Sequence, residues 1–348
     1  MKRDEAIRTM ESEARRSADL PSAAASELRL LVTIPALNEE ETVGGVVRGV
    51  PRKIRGIGSV EVVVVDDGST DRTAERAAAA GAQVIRHASP RGVGAAFQSG
   101  LQYGIERAAD LIVSIDADGQ FDPADIPILV EPVVSSAADF TTASRFADPA
   151  LIPQMPRIKL WGNRMMSRLI SRLAGQKFYD VSCGMRCYSR RAALQLYLLA
   201  RFTYTQEVFL NLAFKQLRIV EVPIRVRGER EFGESRVADN LWRYGLRTAQ
   251  IIFSSYRDYH PLRFFGGIAL GLLVPAVGLG AFQLVHYFQT GAFSPHKWSG
   301  FSAVALGVLA LLMVHTGMIG DMLNRHRIYL EEILYRQRSE SRDQRERR

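Results

Sequence analysis

The chain has 348 residues, of which 47% are hydrophobic and 24% are charged, and this composition excludes a largely disordered protein. Its length leaves room for one large domain and a smaller unit. Cys183 and Cys187 are the only cysteines, so no disulfide framework is expected and we predict two buried thiols. The formal net charge of +8 favours an anionic partner, yet no basic segment with interleaved aromatic residues indicates nucleic acid.

Residues 1–28 are rich in Arg, Glu, Ala and Ser, and they predict a charged arm without the apolar run of a signal peptide. From Leu30 onwards, short apolar runs alternate with helix-like segments. Strands are predicted at 30–34, 60–65, 83–85, 111–115 and 140–143, and helices at 73–80, 95–109, 159–173, 207–215 and after Pro123. The apolar-rich segment 219–224 follows the last of these helices. Asn38 precedes three glutamates and is predicted to cap a further helix with an acidic first turn. This alternation predicts an α/β fold with a mostly parallel, doubly wound sheet.

Two uncharged segments, 264–285 and 298–320, follow this region, and each exceeds the roughly 20 residues needed to cross a bilayer. The short connection between them predicts a transmembrane hairpin, for which two buried core helices are the alternative. The arginines that flank the hairpin are Arg257, Arg263, Arg325 and Arg327. Because the connecting loop carries only Lys297, the charge bias predicts a multi-pass cell (inner) membrane protein whose preceding domain is cytoplasmic.

The segment 237–262 mixes aromatic and aliphatic residues with arginines. This mixture predicts helices that lie in the membrane interface, and an ordinary amphipathic packing helix is the alternative. Residues 324–348 alternate basic with acidic side chains and predict a solvated, basic cytoplasmic tail.

Polar clusters follow four of the predicted strands, at 35–39, 66–69, 90–94 and 116–118. The carboxyl ends of parallel strands share one edge of a sheet, where α/β proteins bind their ligands. Asp116 and Asp118 offer hard oxygen ligands that suit Mg²⁺ or Mn²⁺ bridging to a diphosphate, although an acidic turn without a ligand has the same pattern. Gly92 permits close approach of the backbone to a ligand. Neither a Walker loop nor the glycine pattern of an NAD site is present.

Taken in this order, the clusters resemble the family-two glycosyltransferases of the glycosyltransferase-A fold, over about residues 30–236. Four further motifs are similar to the polyprenyl-phosphate branch, which includes dolichol-phosphate mannosyltransferases and undecaprenyl-phosphate glucosyltransferases. These motifs are Asp116-Ala-Asp-Gly-Gln120, Ser144-Arg145, Asp180-x-x-Cys-Gly-x-Arg186 and Arg230-x-x-Gly233-x-Ser235-Arg236. The chain departs from the branch at Pro90, Met185 and Arg236, where Asn, Phe and Lys are usual.

The resemblance implies a nucleotide-sugar donor and a polyprenyl-phosphate acceptor. The implied nucleotide-sugar-binding residues are Pro35, Asn38, Glu39, Asp66, Asp67, Ser69, Gly92, Asp116 and Gln120. Asp116 and Asp118 would hold the metal ion, and Asp118 is also a candidate catalytic residue. Arginine forks bind phosphate in a bidentate manner, so the other candidate catalytic residues are Arg145, Arg164 and Arg230. The candidate acceptor-phosphate residues are Arg145, Arg164, Arg186 and Ser235.

We therefore hypothesise an inverting transfer of a sugar from a UDP- or GDP-linked donor to dolichyl or undecaprenyl phosphate at the cytoplasmic membrane face. The product would be a lipid-phosphate sugar for cell-envelope glycans or protein glycosylation. An acceptor phosphate is already an anion, so no general base is required. The chain then divides into an arm at 1–28, a catalytic domain at 29–236, interface helices at 237–262, a hairpin at 263–323 and the tail.

There are two alternatives, a rival enzyme on the same fold and a protein of another class. A processive polysaccharide synthase shares the fold but usually carries Gln-x-x-Arg-Trp, which is absent from this sequence. A non-catalytic scaffold or flippase partner would have no need for Asp116, Asp118 and Arg230. The histidines at 87, 260, 296 and 315 form no metal-ligand pattern, and we assign them no role. No feature of the sequence specifies the oligomeric state.

Overall fold

The computed structural model of the chain describes residues 28–198, 205–227 and 241–346. Its strands are β1 (Leu28–Ala36), β2 (Ile57–Asp66), β3 (Gln83–Arg86), β4 (Leu111–Ser114), β5 (Phe140–Ser144), β6 (Arg186–Ser189) and β7 (Ile219–Pro223). They form one seven-stranded sheet in the order β3-β2-β1-β4-β6-β5-β7. All five strands that the sequence predicts are present, which confirms the α/β interpretation.

The sheet is mostly parallel, and β6 is the exception. The pairs β1–β2, β1–β4, β2–β3 and β5–β7 are parallel, whereas β6 runs antiparallel to both β4 and β5. The sequence does not predict β6, because Arg-Cys-Tyr-Ser is short and begins with a charge. Its antiparallel direction has a consequence for the site. Arg186 pairs with Ser114 at the end of β4, so the loop that precedes β6 emerges beside the loop that follows β4.

Helices cover both faces of the sheet. They are α1 (Val43–Gly49), α2 (Thr73–Ala79), α3 (Val93–Glu106), α4 (Ile126–Val134), α5 (Arg157–Ala174), α6 (Arg190–Gln195) and α7 (Thr205–Phe214). Successive residues of β1 point to opposite faces, with Leu30 and Val32 packing against α1 and α4 and Leu31 packing with α3. The sheet is therefore doubly wound, with one hydrophobic core on each side. One core includes residues of α1, α2 and α4, and the other includes residues of α3, α5, α6 and α7.

Asn38 does not cap a helix, and that prediction is wrong. The helix α1 begins at Val43 after Thr42, and its first turn holds no acidic residue. Asn38 has a φ of 50°, in the left-handed region that Asn tolerates better than most residues. Its side-chain oxygen accepts a hydrogen bond from the loop after β2 instead of from its own helix.

Three helices complete the chain: α8 (Leu241–Tyr259), α9 (Pro261–Thr290) and α10 (Lys297–Glu346). Both α9 and α10 are long and apolar enough to cross a membrane. They pack against each other and join through a short connection, as the predicted hairpin requires. Only 17% and 11% of the residues in their most apolar windows are buried, which argues against helices in the core of a soluble domain.

The helix α10 continues well beyond a membrane-crossing length, and its last part contacts the α/β domain. Lys215 forms an ion pair with Glu331 at 2.9 Å, and the hydroxyl of Tyr197 donates to the backbone oxygen of Glu331 at 3.3 Å. Arg338 lies over the ring of Tyr197 and reaches the backbone oxygen of Leu194. Arg338 thus contacts the domain, whereas the Arg336 side chain keeps 71% of its surface, so the solvated tail stays a prediction for the other residues.

Candidate active site

The loops that follow β1 and β2 are joined by several hydrogen bonds. The backbone N–H of Asn38 donates to Ser69 Oγ at 2.9 Å, and the N–H of Thr70 donates to Asn38 Oδ1 at 2.9 Å. The N–H of Glu39 donates to Thr73 Oγ1 at 2.8 Å. Two of the predicted clusters thus form a single rigid wall at the carboxyl edge of the sheet. Pro35 is buried in this wall, opposite Val65.

Asp66 shapes the turn after β2. It is fully buried, and its Oδ1 accepts the N–H of Ser69 at 2.8 Å. Its Oδ2 pairs with Arg86 Nε at 3.2 Å, and Arg86 Nη2 also donates to the backbone oxygen of Ser69 at 2.8 Å. A buried carboxylate paired in this way holds the Ser69 turn against the end of β3.

Asp67 organises the glycine loop before α3. Its carboxylate accepts the N–H groups of Arg91 at 2.9 Å and of Gly92 at 2.7 Å. His87 donates from Nδ1 to the same carboxylate at 2.7 Å, and its Nε2 lies 2.9 Å from Ser99 Oγ in α3. Gly92 has a φ of 97°, a backbone conformation that only glycine adopts without appreciable strain. Asp67 and His87 together fix the backbone of this loop, so His87 has a structural role that its sequence context does not reveal.

Asp116 and Asp118 follow β4 at the same edge. Asp118 is buried, and its Oδ1 accepts the N–H of Gln120 at 3.0 Å. Gln120 in turn is tied to Arg227 through backbone and side-chain hydrogen bonds of 3.0 and 3.3 Å. Asp116 is half-buried and faces Gly184, where an added Cβ would collide with its carboxylate. A glycine at 184 is what leaves room for the Asp116 side chain.

These two carboxylates supply hard oxygen donors of the kind that Mg²⁺ and Mn²⁺ prefer. Within the described ranges, no group of three His, Cys, Asp or Glu side chains could hold a metal by itself. Mg²⁺ typically binds through one or two carboxylates, keeps several waters and takes further ligands from a phosphate. Two carboxylates, Asp116 and Asp118, are the number that this mode of binding requires. The arrangement therefore suits a metal ion that arrives with a diphosphate.

Arg145 follows β5 and forms a buried ion pair with Asp180. Arg145 Nε and Nη2 donate to the two carboxylate oxygens at 2.6 and 2.9 Å, and Nη2 also lies 2.8 Å from Ser182 Oγ. Burial by itself lowers the pKa of Arg145, but the hydrogen bonds and charge of Asp180 outweigh it, so the pKa is raised above its ordinary value. The negative charge of Asp116 adds to this rise. A permanent positive charge therefore stands beside the Asp116 carboxylate.

A second carboxylate, Glu221 on β7, binds the loop that carries Asp180. Its Oε1 accepts the N–H of Asp180 at 2.8 Å and the hydroxyl of Ser144 at 2.9 Å, and its Oε2 accepts the N–H of Tyr179 at 2.8 Å. Burial raises the pKa of Glu221 above its ordinary value. Glu221 therefore holds this loop in place. The sequence signal that could have identified it is a single carboxylate within the apolar run 219–224.

Arg186 is fully buried on β6, and the structure argues against its contacting an acceptor phosphate. Its Nε donates to the backbone oxygen of Cys183 at 2.8 Å, and its guanidinium lies 5.3 Å from the centre of the Phe209 ring. A phosphate could not reach this group without opening the core. Arg186 instead fixes the turn that carries Gly184, and we leave it out of the proposed acceptor site.

The remaining candidates differ in placement. Arg164 is exposed on α5, where its neighbour Asn163 reaches Ser182. Arg230 and Ser235 lie outside the described residues. Both cysteines are buried free thiols, as predicted.

Comparison with known proteins identifies the family. Residues 31–196 match the model of glycosyl transferase family 2. The undecaprenyl-phosphate mannosyltransferase of Micrococcus luteus is 30% identical over 230 residues, which cover 62% of this chain and 89% of that protein. The undecaprenyl-phosphate 4-deoxy-4-formamido-L-arabinose transferase of Pseudomonas paraeruginosa is 28% identical over 326 residues, which cover 87% and 89%. The chain belongs to glycosyl transferase family 2, and these relatives confirm the resemblance to the polyprenyl-phosphate branch.

The fold agrees with this membership. The solved structure of glucosyl-3-phosphoglycerate synthase from Mycobacterium tuberculosis, in complex with Mn²⁺, UDP-glucose and phosphoglyceric acid, matches with a TM-score of 0.53 and 23% identity. The match covers 69% of this chain and 83% of that one. At this level of identity the likeness concerns the fold alone, and it confirms the glycosyltransferase-A architecture.

Proposed function

We propose that this glycosyltransferase moves a sugar, with inversion, from a UDP- or GDP-linked donor to a polyprenyl phosphate. The observation that carries the proposal is the Asp116–Asp118 pair at the carboxyl edge of the sheet. Asp116 of this pair interacts with the fixed charge of Arg145, in a chain with two helices of membrane-crossing length. A membrane protein with a diphosphate site and a nearby phosphate-binding cation is suited to a soluble donor and a lipid acceptor.

The donor side rests on the wall formed by the loops after β1 and β2 and on the Asp67-bound glycine loop. Asn38, Glu39, Asp66 and Ser69 are the residues of that wall that we assign to the nucleoside. Mg²⁺ or Mn²⁺ held by Asp116 and Asp118 would neutralise the charge that develops on the leaving diphosphate. The Mn²⁺ and UDP-glucose in the fold relative support this assignment.

On the acceptor side, the main task is to hold an anion, because a phosphate needs no base to become a nucleophile. Its oxygen forms the bond to the anomeric carbon while the bond from that carbon to the diphosphate oxygen breaks. The nucleoside diphosphate leaves with the electron pair, so attack from the opposite face inverts the centre. Arg145 and Arg164 would orient the acceptor phosphate for this attack. Arg230 and Ser235 stay candidates for the same site.

The proposed location is the cytoplasmic face of the cell membrane. The arginines on both sides of the hairpin, against a single lysine in its connection, support that orientation. The undecaprenyl-phosphate relatives support a lipid acceptor.

The test uses the purified full chain in detergent, polyprenyl phosphate, Mn²⁺ or Mg²⁺, and a panel of labelled nucleotide sugars. We expect one sugar per lipid, extracted into organic solvent, with one donor strongly preferred. Failure to form a lipid-linked product with any donor, or formation of a polymer, would contradict the proposal. Asp118→Asn should abolish both turnover and metal-dependent nucleotide binding. Asp122→Asn is the matched control, because Asp122 only caps the short helix that follows and asparagine caps equally well.

A further inference from the structure

The corner between α8 and α9 is bound by a helix of the α/β domain. The helix α8 ends at Tyr259 and α9 begins at Pro261, so His260 alone separates them. The centre of the Phe214 ring, on α7, lies 4.6 Å from that of Tyr259 and 4.8 Å from that of His260. Asn211 Nδ2 donates to the hydroxyl of Tyr259 at 2.8 Å. Asn211 and Phe214 are three residues apart and share one face of α7, so that face holds the corner.

The helix α10 reaches the same corner. The guanidinium of Arg327 lies 3.8 Å from the centre of the Tyr259 ring, and Asn324 Nδ2 donates to the backbone oxygen of Tyr259 at 3.4 Å. Gly320 lies against Pro261, where an added Cβ would approach the proline Cβ to 2.8 Å. The absence of a side chain at this glycine therefore allows α10 to lie directly against the start of α9. Tyr259 is the residue on which α7 and α10 meet.

Beyond the corner, α10 continues along the α/β domain. Its Glu331 and Arg338 contact the domain through Lys215, Tyr197 and Leu194, as described above. At about 1.5 Å per residue, Glu331 and Arg338 lie roughly 16 and 27 Å past the end of the uncharged segment 298–320. Asn324, Glu331 and Arg338 are spaced by close to two helical turns, so they share one face of α10. A single face of this helix thus connects the apolar segment to the domain.

We propose that Asn211, Tyr259 and Arg327 form a joint that fixes the height and the angle of the α/β domain above the bilayer. Both helices of membrane-crossing length enter this joint, α9 through the corner and α10 through its extension, and α7 enters it from the domain. Hydrogen bonds and a cation stacked on a ring are directional, so they fix an orientation that apolar contacts alone would leave free to slide. The alternative is an ordinary packing contact, which would stabilise the chain without setting the position of the domain.

The position of the domain has a consequence for the acceptor that rests on the proposed function. A polyprenyl phosphate is held at the bilayer surface, whereas a nucleotide sugar diffuses in water. A domain at the wrong height would therefore lose the lipid acceptor and keep the donor, because only the acceptor must be met at a fixed level. The members of the joint are positioning residues, since none of them belongs to the candidate active site.

The first arm of the test measures transfer kinetics of the full chain in nanodiscs. Arg327→Gln removes the charge stacked on Tyr259. Arg325→Gln is the matched control, because the exposed Arg325 pairs with Asp321 on its own helix. We expect Arg327→Gln to raise the KM for polyprenyl phosphate in the bilayer about tenfold, and to leave unchanged the donor KM and the KM for a short, water-soluble prenyl phosphate.

Substitutions of Tyr259 separate the ring from the hydroxyl. Tyr259→Leu should raise the KM for the bilayer acceptor as Arg327→Gln does, and Tyr259→Phe, which keeps the ring under Arg327, should raise it less. Equal rises for the bilayer and the soluble acceptor would overturn the proposal, since the variants would then have damaged the site itself. An unchanged KM for the bilayer acceptor in Arg327→Gln and Tyr259→Leu would overturn it as well.

The second arm measures the position of the domain without donor or acceptor substrate. A fluorophore on the cysteine of Ile128→Cys transfers energy to dye-labelled phospholipid in the nanodisc; Ile128 is exposed, and Cys183 and Cys187 are buried. We expect a broader single-molecule distribution of transfer efficiency for Arg327→Gln than for the parent chain, and the parent distribution for Arg325→Gln. An unchanged distribution in Arg327→Gln would overturn the joint. Inactivity of the parent chain would contradict the proposed function alone, because the fluorescence arm would still decide the joint.

Discussion

The Arg145–Asp180 pair allows a sharp test of how the site is held together. In Asp180→Asn the side chain keeps its shape but loses the charge that binds Arg145 Nε at 2.6 Å and Nη2 at 2.9 Å. The two side chains retain only 15% and 0% of their surface. Arg145 would therefore stay charged in a buried position without its counter-ion. Asparagine can also accept fewer hydrogen bonds, and one of its nitrogen protons would face the guanidinium.

The magnitude follows from burial. Removing one partner of a buried ion pair costs about 3–5 kcal/mol, because the remaining charge is left uncompensated. At about 2–4 °C per kcal/mol for a domain of this size, the melting temperature should fall by roughly 10 °C. The matched control is Asp139→Asn, since Asp139 binds Arg218 through similar contacts but 56% of Arg218 is exposed. Water can solvate that arginine, so the control should cost clearly less stability than Asp180→Asn.

The assay is thermal unfolding of the full chain in detergent, followed by intrinsic fluorescence. Combining Asp180→Asn with Arg145→Met removes both charges, so the double variant should be no less stable than Asp180→Asn alone. Equal losses for Asp180→Asn and Asp139→Asn, or simple additivity in the double variant, would refute this reasoning. If Arg145 also binds the acceptor, Asp180→Asn should raise the KM for polyprenyl phosphate and leave the donor KM unchanged.

Three further predictions concern the loops of the site. Gly184→Ala would push its Cβ into the carboxylate of Asp116, and a displaced carboxylate should lower turnover about 100-fold, measured in the transfer assay. His87→Leu removes both ring-nitrogen contacts that hold the glycine loop, so the donor KM should rise and unfolding should become easier by about 1–3 kcal/mol. Burial raises the pKa of Asp71, but its hydrogen bonds with Thr73 outweigh that effect and the net pKa lies below the ordinary 3.8. Its stabilising contribution is therefore present above 3.8 and is lost as the pH falls through the lowered pKa, and Asp71→Asn should weaken that acid dependence in thermal unfolding.

Each of these has an internal control. Gly162→Ala, on α5, adds a Cβ that meets nothing within 4 Å, so its turnover should equal that of the parent chain. His87→Leu should leave the KM for polyprenyl phosphate unchanged, and a parallel rise in both KM values would contradict a role confined to the donor loop. An acid dependence of Asp71→Asn identical to that of the parent would show that Asp71 does not contribute to it.

The sequence by itself determined the strands and the position of the site along the chain. β1, β2 and β4 each contain a short apolar run, at 30–32, 62–65 and 111–113, that is buried on both faces, and such runs can be identified without knowing their neighbours. The carboxylates that follow them must meet at one edge once the strands are parallel, so Asp66 and Asp116 were predictable. The two membrane-crossing segments were equally predictable, because a helix that crosses a bilayer needs sufficient length and no charge within one continuous stretch.

Only the tertiary structure decided which side chains line the site and which support those side chains from the core. Asp180 lies 35 residues from Arg145, Glu221 lies 41 from Asp180, and Gly184 meets Asp116 only because β6 runs antiparallel to β4. No local pattern encodes such pairs. Arg186 was predicted as a candidate phosphate ligand for the same reason, although it is buried and holds the turn at Cys183. An arginine's charge is visible in the sequence, whereas its burial depends on elements far away in the chain.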